Sequence, residues 1–153
     1  MKITRIHDLY FKEFVSKNEI STIVKDLAKQ VKNDLPENEV PLFIGILNGC
    51  FVFAADFVRA YKGDCEISFV KLASYEGTSS TDKVKKLIGV NEDLEGRTVV
   101  ILEDVIDTGT TLQEIYEIFK SKNLKELKIA TLFFKPDVYR KELPINYVGK
   151  SIP

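Results

Sequence analysis

Two almost purely apolar runs constrain the fold of this chain more than any other feature of its sequence. Residues 40–47 read VPLFIGIL, and residues 99–102, the end of a predicted strand at 97–102, read VVIL. Neither run alternates between apolar and polar residues, as a strand with one wet face does. Such runs are typical of strands buried on both faces of a parallel sheet that helices cover.

Helical patterns separate the predicted strands. Apolar residues from Ile20 to Val31 recur at the spacing of one helix face, and this helix ends near residues 33–36. Further helices are predicted at residues 51–61 and from about residue 110, and further strands at 66–74, 86–90, 127–134 and 145–152. The alternation predicts an α/β fold, a mostly parallel twisted sheet flanked by helices. Ligands of such sheets bind beyond the carboxyl ends of the strands.

Composition excludes several classes of function. The 22 basic and 23 acidic residues leave a formal net charge of −1, which does not favour broad binding to nucleic acid or to an anionic membrane. The two cysteines, Cys50 and Cys65, fit neither a metal spacing nor a disulfide framework. The sequence starts without the apolar core of a signal peptide and has no run of membrane-spanning length. We therefore expect a cytoplasmic protein.

A cluster of acids ends the most apolar strand. Glu103, Asp104 and Asp107 follow Leu102 within five residues, and the sequence DTGTT then leads into the helix predicted from Thr110. Free backbone amides and the helix dipole make such a turn a site for a phosphate monoester. A capped turn without a ligand fits equally well, because Asp and Thr are common capping residues.

The three acids can be interpreted as part of a binding site or as a solvated loop without a function. Adjacent carboxylates raise one another's pKa unless something compensates their charge. Glu103 and Asp104 could accept hydrogen bonds from a sugar diol and help to hold hydrated Mg²⁺, and Asp107 is placed to act on the group attached to that sugar. A solvated acidic loop is the plain alternative, but it fits three acids directly after a buried strand less well. Phosphate, diol and leaving group in this order indicate a ribose 5-phosphate.

Residues 99–112, VVILEDVIDTGTTL, resemble the signature of the type I phosphoribosyltransferases. Over nearly its whole length the chain resembles the hypoxanthine-guanine phosphoribosyltransferases. Residues 45–53 (GILNGCFVF) are similar to the pyrophosphate-binding loop of that family, residues 74–83 (SYEGTSSTDK) to its mobile lid, and residues 132–136 (LFFKP) to the strand end that recognises the purine.

The resemblance implies a fold, a reaction and a set of roles. The fold is type I phosphoribosyltransferase-like, with a small hood formed by the terminal regions. The reaction is the Mg²⁺-dependent transfer of ribose 5-phosphate from phosphoribosyl pyrophosphate to hypoxanthine or guanine, which releases pyrophosphate and gives IMP or GMP. Asp107 would be the general base, and Glu103 and Asp104 would bind the ribose hydroxyls directly or through Mg²⁺. The other substrate-binding residues implied are Leu47, Asn48, Gly49, Ser74, Tyr75, Thr108, Gly109, Thr110, Thr111 and Lys135.

Three stretches carry further expectations. Lys135 would donate to the 6-oxo group of the purine, because a lysine cannot accept from an amino group; without the resemblance it reads as a solvated strand-end lysine. Asn48 stands where many family members carry a basic residue, and the Leu47–Asn48 peptide bond is expected to be cis. Residues 74–83 would close over the reacting centre and exclude water, or form an idle connection.

Residues 1–153 are expected to be one phosphoribosyltransferase domain that lacks the family's C-terminal segment. Family members continue from there for roughly 25 residues, which supply the aromatic residue that stacks on the purine, groups that read its pyrimidine ring and an acidic metal contact. The family also implies a homodimer or homotetramer. Three alternatives remain: a phosphoribosyltransferase for xanthine, adenine, uracil or orotate, a non-catalytic regulator that binds phosphoribosyl pyrophosphate, and a scaffold without a ligand.

Overall fold

The computed structural model describes residues 2–76, 83–90 and 93–153. Its elements are, in chain order, β1 (Ile3–Ile6), β2 (Leu9–Lys12), α1 (Lys17–Asp34), β3 (Leu42–Ile46), α2 (Phe51–Ala60), β4 (Glu66–Glu76), β5 (Lys83–Ile88), β6 (Thr98–Ile106), α3 (Thr110–Lys120), β7 (Glu126–Phe134) and β8 (Tyr147–Ser151).

The central sheet has the strand order β5-β4-β3-β6-β7-β8. All neighbouring strands in it run parallel except β4 and β5, which are antiparallel. The chain therefore leaves β3 in one direction towards β4, and the later strands add on the other side, beginning with β6. Such a change of direction opens a crevice between the carboxyl ends of the two central strands, and a ligand site is expected there.

Helices cover both faces of this sheet, as the uninterrupted apolar strands require. The buried faces of α1 and α2 pack with β3, β6 and β7 in one core, around Leu27, Phe43 and Phe57. The other core lies under α3, where Ile115 and Phe119 are fully buried. Among the described residues, no helix is both long enough and apolar enough to cross a membrane.

The predicted elements are confirmed, with shifts of a few residues at the ends of strands such as β4 and β5 and a larger correction at the acidic cluster. We predicted that the strand ends at Leu102 and that the acids lie in a loop, but β6 continues to Ile106 and contains Glu103 and Asp104. Strand β3 accompanies β6 only as far as the Gly45–Leu102 pair, whereas β7 continues to pair with β6 up to Ile106. The acidic stretch thus keeps strand hydrogen bonds on one edge while its other edge opens into the crevice.

The terminal regions differ from one another. Strands β1 and β2 form an antiparallel hairpin apart from the central sheet, and their residues are exposed. We did not predict this hairpin, because none of its side chains is buried and no apolar pattern marks it. Strand β8 pairs with β7 in the central sheet. Of the hood expected from both terminal regions, the structure therefore shows the N-terminal hairpin alone.

Candidate active site

A cavity of about 330 Å³ lies between the carboxyl ends of β3 and β6. Its walls are the turn after β3, the acidic end of β6 and the first residues of α3. Nine of the residues predicted for the site line it: Leu47, Gly49, Glu103, Asp104, Asp107, Thr108, Gly109, Thr110 and Thr111. Among the described residues, four that we did not predict also line it: Ile46, Val105, Ile106 and Leu112.

The start of α3 forms one wall of this cavity. Ser16 caps α1 by accepting a hydrogen bond from the backbone amide of Glu19, whereas α3 begins after Gly109, which has no side chain to do so. The hydroxyls of Thr108 and Thr110 lie 3.4 Å apart beside these first-turn amides. Amides and hydroxyls directed at one space, together with the helix dipole, form a suitable site for a phosphate group.

The segment after β7 fixes this turn from behind. The backbone amide of Arg140 donates to the carbonyl of Thr108 at 3.2 Å. Gly109 has a φ of +86°, and a Cβ at this position would lie 2.6 Å from Cε2 of Tyr139. Both the backbone conformation and the space thus require glycine here. Cγ of Lys141 would lie 3.0 Å from the same Cβ. Neither Tyr139 nor Lys141 carried a signal in the sequence, because their position beside the turn is purely tertiary.

The acids differ in their surroundings. Glu103 and Asp104 are partly buried and Asp107 is exposed. Burial, followed by the hydrogen bond and the charge of Asp104, raises the pKa of Glu103 to about 8. The backbone amide of Asp104 donates to Oε1 of Glu103 at 3.1 Å, which offsets part of this effect. Near neutral pH Glu103 therefore holds a proton that an arriving cation would displace.

The turn after β3 approaches the acids closely. The Leu47–Asn48 peptide bond is cis, as expected from the resemblance. A Cβ at Gly49 would lie 2.8 Å from Oδ2 of Asp104, so glycine lets this backbone lie against the carboxylate. Behind the turn, Cys50 is fully buried. Burial and the charges of Glu103 and Asp104 raise the pKa of its thiol to about 12, which makes it a packing residue rather than a nucleophile.

Asn48 and Lys135 are not among the residues that line this cavity, and the side chains of Ser74 and Tyr75 lie outside what the structure describes. Asn48 is exposed in the same turn, and its side-chain oxygen faces Lys71 of β4. Lys135 follows β7 and is held at this edge by a hydrogen bond from its amide to the carbonyl of Ile106. Ser74 and Tyr75 lie on β4, where their backbones pair with β5. Residues 77–82 of the predicted lid lie outside the described residues.

The carboxylates suit Mg²⁺ bound together with a substrate. Among the residues that the structure describes, no group of three or more His, Cys, Asp or Glu side chains could hold a metal ion. Mg²⁺ commonly uses only one or two protein carboxylates and completes its shell with water and substrate phosphates. Glu103 and Asp104, adjacent at the cavity, provide such a partial set.

A larger groove of about 1140 Å³ lies between α1 and α2, away from these acids. Basic side chains surround it and its floor is apolar. It contains the carboxylate of Asp56 but none of the acids and threonines of residues 103–111, so we assign the site to the smaller cavity. The residues of its rim include Lys17, Lys25, Lys29, Lys32, Arg59 and Lys62.

Comparison with known proteins agrees with this fold. The phosphoribosyl transferase domain model matches residues 12–153. A hypoxanthine-guanine phosphoribosyltransferase of Streptococcus pyogenes is 40% identical over 139 residues, which cover 90% of this chain and 77% of that protein. The enzyme of the same name from Bacillus subtilis is 33% identical over 96% of this chain and 81% of its own length.

Solved structures give the same result. A hypoxanthine-guanine phosphoribosyltransferase of Bacillus anthracis superposes with a TM-score of 0.80 at 35% identity, and covers 94% of this chain and 82% of its own. A hypoxanthine phosphoribosyltransferase of Trypanosoma cruzi, in complex with the product IMP, has a TM-score of 0.81 at 30% identity, with 98% and 81% covered. The chain belongs to the phosphoribosyltransferase family. Within it, the resemblance to the hypoxanthine-guanine enzymes is confirmed.

Proposed function

We propose that this protein transfers ribose 5-phosphate from phosphoribosyl pyrophosphate to hypoxanthine or guanine in purine salvage. The observation that supports this proposal most strongly is the meeting of two features in one cavity. The acidic end of β6 faces the hydroxyl-rich start of α3. The curated relatives are named for this reaction, and the Trypanosoma cruzi relative binds the product IMP.

The start of α3 would hold the 5-phosphate. Thr108, Thr110 and Thr111 offer hydroxyls, and the first amides of the helix offer further donors without a competing cap. Charge-assisted hydrogen bonds of this kind are stronger than those between neutral groups. Gly109 keeps the backbone close to the phosphate.

Glu103 and Asp104 would bind the ribose hydroxyls, directly or through Mg²⁺. Bound Mg²⁺ would supply positive charge for the departing pyrophosphate. To hold such a cation, Glu103 would have to be ionised, and so it would lose the proton that its raised pKa retains near neutral pH. The ionised carboxylates then lie next to a sugar on which positive charge develops, and stabilise it.

Asp107 would act on the base. It follows β6 directly and its side chain is exposed at the cavity, so a purine placed over the sugar comes within its reach. In the reaction it takes or shares the imidazole proton while the bond from nitrogen to ribose forms. Lys135, at the end of the neighbouring strand β7, would donate to the 6-oxo group and disfavour adenine.

The proposal also includes the domain organisation, the assembly and the location of the protein. Residues 1–153 form one phosphoribosyltransferase domain, which assembles into homodimers or homotetramers like those expected of the family. The protein works in the cytoplasm, where thiols such as Cys50 and Cys65 stay reduced.

A panel of bases tests the proposal. The chain is supplied with Mg²⁺, phosphoribosyl pyrophosphate and, in turn, hypoxanthine, guanine, xanthine, adenine, uracil and orotate, and pyrophosphate release is followed. We expect release with hypoxanthine or guanine and little with the others. Release only with another base would transfer the activity to that base. Binding of phosphoribosyl pyrophosphate without release for any base, in a folded sample, would favour the regulator over the enzyme.

A further inference from the structure

The turn after β3, which resembles the family's pyrophosphate-binding loop, carries no positive charge of its own. Residues 47–50 read LNGC, and Gly49 lies against the carboxylate of Asp104. A polyanion held there would meet the negative charge of Asp104 on its inner side. A protein cation on the outer side of the turn would lower the free energy of that arrangement.

Lys71 is placed to supply this cation. It follows Val70 on β4, and the carbonyl of Val70 accepts a hydrogen bond from the amide of Leu47 at 2.8 Å, so the two segments are fixed together. Nζ of Lys71 lies 3.5 Å from Oδ1 of Asn48, at the outer limit of a hydrogen bond. The lysine is exposed, and its long stem can therefore turn towards a ligand.

Two other lysines of the described residues lie on the opposite side. Lys135 follows β7, and Cγ of Lys141 would lie 3.0 Å from a Cβ at Gly109, at the start of α3. In the sheet, β4 and β7 flank the central pair β3-β6 on opposite sides. Lys71 therefore serves the β3 side, where the turn lies, and the other two lysines serve the side of the 5-phosphate and the base.

We propose that Lys71 binds the pyrophosphate group of phosphoribosyl pyrophosphate, and that Asn48 orients its ammonium group for this role. The inference rests on the proposed function, because it needs the pyrophosphate to lie at the turn after β3. An ammonium group has several donors. It can keep its contact with Oδ1 of Asn48 while it donates to a phosphate oxygen. The side chain of Asn48 thus positions the ammonium group of Lys71, which lies on the neighbouring strand β4.

Binding of inorganic pyrophosphate tests this role without requiring turnover. Calorimetric titration with pyrophosphate in the presence of Mg²⁺ compares the wild type with Lys71→Ala, Lys71→Arg and the control Lys122→Ala. Lys122 is an exposed lysine in the turn after α3, at the other end of the sheet. We expect Lys71→Ala to weaken pyrophosphate binding about ten-fold, which is typical for one charge-assisted contact. Lys71→Arg keeps the charge and should recover most of the affinity, and Lys122→Ala should bind as the wild type does.

Steady-state kinetics separate this role from a structural one. Lys71→Ala should raise KM for phosphoribosyl pyrophosphate and leave KM for hypoxanthine unchanged. Equal pyrophosphate affinity in the wild type and Lys71→Ala would overturn the proposal, as would a change in oligomer mass that accounts for the whole loss. If the wild type itself bound neither pyrophosphate nor phosphoribosyl pyrophosphate, the proposed function would fail together with this inference. A wild type that binds both beside an unaffected Lys71→Ala would refute the inference alone.

Discussion

Replacement of Glu103 by glutamine should make the protein more stable at high pH and leave it almost unchanged at low pH. The carboxyl group of Glu103 has a pKa of about 8 in the folded protein, against 4.5 for an unperturbed glutamate. Between these two values the folded state keeps a proton that the unfolded state has released. The free energy of unfolding therefore falls as the pH rises through this interval. Glutamine has no proton to lose, and the variant escapes this decrease.

The magnitude follows from the pKa difference. The increase from 4.5 to about 8 corresponds, at 1.36 kcal/mol per unit, to an upper limit of about 5 kcal/mol above both pKa values. Partial access of water to the side chain reduces the penalty, and we expect about 2 kcal/mol at pH 9. The glutamine retains an oxygen that can accept the hydrogen bond from the amide of Asp104, so this contact cancels in the comparison.

Urea unfolding followed by circular dichroism, at about pH 5, 7 and 9, measures this difference. The stability of Glu103→Gln relative to the wild type should increase steadily along the series. The control is Glu117→Gln, which makes the same substitution at an exposed position of α3. Parallel stability profiles for Glu103→Gln and the wild type would show that Glu103 is ionised in the folded protein near neutral pH, and would refute the reasoning.

Further predictions concern the turn before α3, the recognition of the purine and the contact between Tyr147 and Asp34. Gly109→Ala should cost about 3 kcal/mol of stability and abolish binding of ribose 5-phosphate, whereas Gly96→Ala, with a positive φ but open space, should cost only about 1 kcal/mol; urea unfolding and calorimetry check both. Lys135→Ala should raise KM for hypoxanthine about ten-fold and reduce the ratio of kcat/KM for hypoxanthine to kcat/KM for adenine. An equal decrease in kcat/KM for every base would instead indicate a structural role for the lysine. Tyr147→Phe, which removes the hydrogen bond to Asp34, should lower the free energy of unfolding by about 1 kcal/mol with kcat unchanged.

The sequence predicted the central architecture well because burial on both faces leaves a strong local pattern. The apolar runs that became β3 and β6 and the helical spacing in α1 report their surroundings directly. The end of β6 shows the limit of such patterns. Its acidic residues interrupt the apolar run, yet β7 continues to pair with them up to Ile106. Pairing with a distant strand cannot be read from the residues of β6 alone.

The site was predictable where its parts are adjacent in the chain. The acids and the turn from Thr108 to Thr111 lie in one segment, so their spacing in the sequence already predicts that they lie close together in the fold. Tyr139 against Gly109, and Lys71 beside Asn48, depend on which strands become neighbours. The raised pKa of Glu103 likewise depends on how deeply the sheet and helices enclose the end of β6, since burial is its largest cause.

The formation of nucleotide from hypoxanthine, phosphoribosyl pyrophosphate and Mg²⁺, by the wild type and by Asp107→Asn, tests the proposed function most directly. We expect the wild type to form the nucleotide together with an equal amount of pyrophosphate. Asp107→Asn should still bind phosphoribosyl pyrophosphate but react about 10²–10⁴-fold more slowly, because it has lost a general base. No nucleotide from folded wild-type protein would contradict the proposed function, and equal rates for the two proteins would remove Asp107 from the reaction.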